Sequence, residues 1–199
     1  MGEHSVKLIV RIALVGFFAV VIQEAAISQI SVFGVNADIT PLAVMSIGLL
    51  CGSLPGAIAG FFIGLFVDTA LFQTLGVTSL LYVVIGYWSG RLRELRDPSH
   101  GLVPLACGAA ATAIAGLGMA LIQFLLGVDA PVSLLLLQQI FMSVLVNTLI
   151  ALPVYELVRR ILYPALPADP RSRRRRRYTT GDFSPLQQPS QRLGSARHR

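Results

Sequence analysis

Apolar runs separated by short polar, glycine- or proline-bearing breaks occupy the chain up to residue 163. Their bounds predict six helices, over 8–30, 41–54, 55–73, 77–91, 102–127 and 132–160. At ~1.5 Å per residue the first is long enough to cross a hydrocarbon core of ~30 Å. Its apolar part is too long for a cleaved leader, and Gln23-Glu24 stands where a cleavage region should be small and neutral, so it is expected to remain as a membrane helix. The second run is short, reaching only ~21 Å. It starts earlier in the membrane, tilts little, or pairs as a hairpin with the third. Pro41 opens it, with Thr40 or Asp38 available as its N-cap, and Pro55 restarts the third. The fourth ends in Tyr87-Trp88, an aromatic pair suited to the headgroup level. The fifth is rich in Ala and Gly, as befits close packing. From 164 to 199 the chain is rich in Pro, Arg and Ser without apolar periodicity, which predicts a disordered basic tail. The expected fold class is all-α: a polytopic integral membrane protein of about six transmembrane helices.

The third run holds the densest pattern. Gly56, Gly60, Gly64 and Asp68 recur every four residues and form one slowly winding stripe on a helix. In water each Gly costs about 1 kcal/mol against Ala. In a bilayer the stripe instead lets two backbones approach closely. Gly52, Gly86 and Gly90 extend the set of glycines expected at a helix-packing or partner interface. Packing within the chain and a seam between chains are both open to such a stripe.

Composition sharpens the membrane reading. Hydrophobic residues make up 54% of the chain, charged residues 13%, and the mean hydropathy is +0.70, far from a soluble domain of this length. The net charge of +6 comes from sixteen basic residues, and they are clustered. Lys7 and Arg11 flank the first run, Arg91, Arg93 and Arg96 share the fourth-to-fifth loop, and the rest follow the last run. With six spans all of them fall on one side, and the positive-inside rule then places both termini in the cytoplasm. Arg173, Arg174, Arg175, Arg176 and Arg177 are expected to fix orientation or to attract anionic lipid at ~1 kcal/mol per residue. Weak nucleic-acid binding is the lesser reading of that run.

This topology puts Gln23, Glu24, Asp68, Gln123, Gln138 and Gln139 in the outer half of the membrane, with Asn147 deeper. Acids within a membrane must face protein or a wet cavity. Four arrangements fit: a polar crevice opening outward, a patch that another membrane helix satisfies, side chains that snorkel to the outer interface, or bonds across helices that serve stability alone. Catalysis is not expected. His4, His100 and His198 lie outside the apolar runs, so neither a Ser-His nor a Cys-His pair can form at membrane depth. Cys51 and Cys107 read as small buried hydrophobes, not as a metal pair or disulfide. No cofactor or metal is implied.

Taken together, Pro41, Gly52, Gly56, Gly60-Phe61, Gly64-Leu65, Asp68, Leu75-Gly76 and Gly86-Tyr87 resemble the MreD family, the multi-pass member of the bacterial rod-shape system. Asn147, Pro153 and Tyr155 resemble its last helix. The likeness runs over about residues 8–163 and leaves the basic tail outside. It implies a non-enzymatic protein of the bacterial cytoplasmic membrane, acting with MreC, and with MreB, RodA and a transpeptidase, in lateral peptidoglycan synthesis. It also implies a fold resembling the substrate-binding components of energy-coupling-factor transporters. Vitamin binding is therefore the alternative function. Those components carry Ala-x-x-x-Ala on the first helix, a spacing that Ala13, Ala19, Ala25 and Ala26 do not give. The resulting expectation is a scaffold that binds a partner's transmembrane helix along the glycine stripe and the outer polar groups.

Overall fold

A computed structural model describes residues 2–27, 31–32, 35–72, 74–95, 102–127 and 134–165. Its helices are α1 (Gly2–Ile22), α2 (Ile39–Cys51), α3 (Ser53–Ala70), α4 (Val77–Leu95), α5 (Leu102–Leu125) and α6 (Leu134–Leu162). A π-helical turn, Gln23–Ile27, follows α1, and a 3-10 turn, Tyr163–Ala165, follows α6. Between α1 and α2, Ser31–Val32 pairs antiparallel with Val35–Asn36, joining Ser31 to Asn36 and Val32 to Val35. The expected tail, with Arg173 to Arg177, lies outside the described residues.

Four segments are long and apolar enough to cross a membrane: Val6–Ala25, Ser53–Ala70, Leu102–Leu125 and Leu137–Ala165. The two other helices fall short for different reasons. Charged residues enter the last turn of α4, which runs on to Leu95. Helix α2 has only 13 residues, but every residue from Thr40 to Leu50 is buried. A helix apolar all round belongs in an interior. Here α2 is the axis of the bundle, packed against all five other helices. Its length need not match the bilayer, because protein rather than lipid surrounds it.

Helix starts differ from expectation in a consistent way. Pro41 and Pro55, expected to open the second and third helices, each occupy the third position instead, as Pro104 does in α5, which starts at Leu102 as expected. Proline is tolerated throughout a first turn, where its missing N–H would have had no intrahelical acceptor.

The closest pairing in the bundle is α3 with α4. A Cβ at Gly60 would run into the Tyr82 carbonyl, and one at Gly64 into the backbone of Ser79. Gly56 and Gly86 face each other so closely that either Cβ would meet the other's backbone, and Gly90 lies against Gly52 and Ser53. Gly48 of α2 abuts the same strip of α4, at Ser89 and Gly86. The stripe is thus taken up inside the chain. No partner helix can lie along it without displacing α4, which corrects the expected docking position. Gly52 differs from the rest. It is the single residue between α2 and α3, with φ +102, a conformation that favours glycine. An added Cβ there would find only Glu94 Oε1, at 3.9 Å. Its first task is the reversal, with packing secondary.

Two substitutions separate contact from conformation. Gly60→Leu forces side-chain atoms onto a neighbouring backbone and is expected to cost at least the ~1–3 kcal/mol of an overpacked core. Gly76→Ala meets nothing within 4 Å but carries φ +96, so only the ~1 kcal/mol of an unfavourable backbone conformation applies. Thermal unfolding of the purified protein in detergent should rank them in that order.

Candidate functional site

Helix N-termini inside a bundle leave N–H groups that water cannot reach. In this chain, distant side chains supply the acceptors. Asp68, fully buried near the end of α3, accepts from Gly76 N at 2.8 Å and Thr78 N at 3.3 Å. It caps α4. In return Glu94, in the last turn of α4, accepts from Ser53 N at 3.3 Å and Ser53 Oγ at 2.6 Å, at the head of α3. The two antiparallel helices hold each other's first turns.

Helix α2 is capped from two other elements. Asp38 sits at its N-cap position but makes no side-chain capping bond. Gln23 Oε1 accepts from Ile39 N at 2.8 Å, while Gln23 Nε2 donates to Ala37 O at 2.9 Å and Asp38 Oδ1 at 3.2 Å. From α6, Asn147 Oδ1 accepts from Asp38 N at 2.9 Å. The π turn begins at Gln23, and the residue is buried. Thr40, the other expected cap, is buried inside the helix.

Beside these caps lies a cavity of about 510 Å³ whose wall takes side chains from α2 to α6 and from the π turn after α1. Its polar lining comes from Gln23, Glu24, Asp38, Thr40, Thr78, Tyr82, Thr112, Gln123, Gln139 and Ser143, against apolar neighbours such as Leu71, Leu81, Met119 and Ile140. Tyr82 and Thr40 are joined by a side-chain hydrogen bond. Burial, and next the carboxylate of Glu24, push the Asp38 carboxyl above its ordinary range. The described basic residues keep to the other end of the helices, where Arg11 Nη1 donates to Ile161 O at 3.0 Å.

Of the residues expected to share a crevice, the structure gathers Gln23, Glu24, Gln123 and Gln139 on one wall. Asp68 stands off it, committed to capping, as does Asn147, which was expected to lie deeper. Gln138 is exposed and also off it. The sequence reading missed Asp38, Thr78, Tyr82, Thr112 and Ser143 as lining residues. An acid two residues ahead of Thr40-Pro41 was the one available signal. Among the described residues no group of three His, Cys, Asp or Glu could hold a metal.

A bundle with four membrane-crossing segments around a short central helix defines a polytopic α-helical membrane protein. Residues 5–161 match the family model of the rod shape-determining protein MreD, and the chain belongs to that family. No curated protein and no solved structure matches it.

Asp68→Ala should strand the buried Thr78 N–H, at ~1–3 kcal/mol when unsatisfied, and remove the acceptor of the more exposed Gly76 N–H. Asp68→Asn keeps an acceptor and should lose less, as thermal unfolding in detergent would show. Because Asp38 holds its proton to higher pH when folded, the unfolded chain sheds that proton first. Stability then falls as pH rises from the ordinary carboxylate range through the folded pKa. Asp38→Asn should gain on the wild type over that rise, and unfolding series between acid and neutral pH measure it.

Proposed function

We propose that this protein is a non-enzymatic membrane scaffold of the cell-elongation machinery, paired with an MreC-like single-pass protein in lateral peptidoglycan synthesis. The observation that carries the proposal is the extent of the family match. It covers the whole helical bundle, residues 5–161, so the rod-shape role belongs to the bundle and not to the basic tail. MreB, RodA and a transpeptidase are the further partners that this role implies. The clustering of Lys7, Arg11, Arg91, Arg93, Arg159 and Arg160 at one end of the helices supports both termini being cytoplasmic, in a bacterial cytoplasmic membrane. Arg173 to Arg177 would then lie where anionic lipid attracts them.

With the stripe occupied by α4, the partner's helix needs another surface. The α1–α3 face offers one. The rings of Phe17 and Phe66 lie 5.7 Å apart across the two helices, and Phe18, Phe61 and Phe62 are also exposed on them. Broad rings supply the dispersion contacts that join helices in lipid, where no hydrophobic drive acts between them.

The vitamin-transporter alternative draws on the 510 Å³ cavity, a volume that suits a small molecule. A vitamin carried through detergent extraction would favour it. The scaffold reading predicts that an MreC-like chain co-purifies with the tagged protein. Phe17→Ala with Phe62→Ala should reduce that recovery several-fold while the protein stays folded. Undiminished recovery moves the contact to another face, and no recovery with the wild type removes the scaffold reading.

A further inference from the structure

The cavity lining divides into groups whose hydrogen bonds are already spent and groups whose bonds are free. Gln23 uses both ends of its amide at the head of α2, and Asp38 Oδ1 takes one of those bonds. Glu24 is engaged as well. Tyr82 and Thr40 are bonded to each other, and the Thr112 hydroxyl donates to Gly108 O at 3.0 Å. Thr78 Oγ1 is closed off from the cavity. The free capacity is neutral and sits on two helices. Gln123 of α5, with Gln139 and Ser143 of α6, line the cavity and have no hydrogen-bond partner among the described residues. All three lie within membrane-crossing segments, where lipid supplies no partner. Gln139 and Ser143 are one turn apart and share a face of α6. Ile140, between them, packs at Gly116 and holds α5 alongside. From Thr112 to Gln123 the α5 side of the lining runs ~16 Å.

A primary amide sets a carbonyl acceptor beside an NH2 donor. Two adjacent hydroxyls, each able to give and to take a hydrogen bond, answer both at once. A carboxylate or an ammonium answers only one. A charged ligand would also lose its hydration against Leu71, Leu81 and Met119, which line the same cavity. Those side chains suit C–H surface, and a sugar ring carries such surface together with its hydroxyls.

We propose that this cavity binds an uncharged polyol of the size of a hexose, the chemistry shared by a free sugar and the headgroup of a neutral glycolipid. Adjacent hydroxyls pair with the Gln123 and Gln139 amides, Ser143 takes a deeper one, and the C–H face rests on Leu81 and Met119. Charged sugars of the same size are disfavoured. The site does not depend on the scaffold reading, because its occupancy is read without any partner chain.

The test uses the full chain in phosphatidylcholine nanodiscs, with Cys51→Ala and Cys107→Ala and one new thiol. Ala120→Cys puts that thiol on the cavity lining, Ala115→Cys is the second position should the first not fold, and Leu75→Cys is an exposed reference. Each is reacted with N-ethylmaleimide, an uncharged reagent. Methyl glucoside, or a glucosyl diacylglycerol mixed into the bilayer, should slow the reaction several-fold at the cavity and leave Leu75→Cys unchanged. Slowing by the dissolved glucoside assigns the site to a free sugar, and slowing by the glycolipid alone assigns it to a headgroup. Glucuronate and glucosamine, or their lipid-linked forms, should protect far less. Gln123→Leu with Gln139→Leu, or either alone should the pair not fold, should remove the protection. Slowing by neither sugar source, equal slowing by the charged sugars, a thiol that the reagent never reaches, or protection that survives the leucines overturns the proposal.

Discussion

A helix that begins where water is excluded presents amide hydrogens that nothing in its own first turn can accept, and this bundle is arranged around meeting that need. Lipid offers no acceptor, so each such group must find one in the protein. The chain uses two means. Pro41, Pro55 and Pro104 remove a donor from the first turns of α2, α3 and α5. Gln23, Asp68 and Asn147 bring oxygens from other elements to the heads of α2 and α4, and Glu94 does the same for α3 at the exposed end of the bundle. Much of the polarity embedded among apolar residues is thereby spent on backbone, and what remains lines the cavity.

Close packing follows from the same geometry. For Asp68 to reach Gly76 and for Glu94 to reach Ser53, α3 and α4 must lie almost backbone to backbone. Glycines at 56, 60, 64, 86 and 90 permit that approach. Reciprocal caps and a glycine seam reinforce each other: neither works at the separation that ordinary side chains impose. The pair then supplies one wall for α2, and α1, α5 and α6 complete its enclosure.

How much of this could be read beforehand depends on range. The six apolar runs, the membrane class and the role of Gly56, Gly60 and Gly64 in a close approach rest on local spacing. Spacing also singled out Asp68 and Asn147, but not their work. A carboxylate that caps a helix and one that lines a wet recess have the same signature in one dimension, an acid inside an apolar run. Only the position of Gly76 and Thr78 against Asp68 distinguishes them. Asn147 meets Asp38 across 109 residues of sequence, beyond any periodicity. Asp38 itself was read as a candidate N-cap and not as a cavity residue, because the enclosing helices are not its neighbours along the chain. The glycine stripe hid its mate for a related reason: Gly86 and Gly90 are spaced correctly, but register between two helices is not written in either one.

The full enclosure of α2 bears on biogenesis. During synthesis this segment leaves the ribosome before the helices that will surround it. Its 13 residues cover ~20 Å, short of a ~30 Å hydrocarbon layer. Left by itself it would thin the bilayer or rest near its surface. Its seat exists only after the chain has reversed at Gly52 and α3 has zipped against α4. Insertion of the first half of this protein is therefore a collective event, in which a later hairpin draws an earlier segment into place.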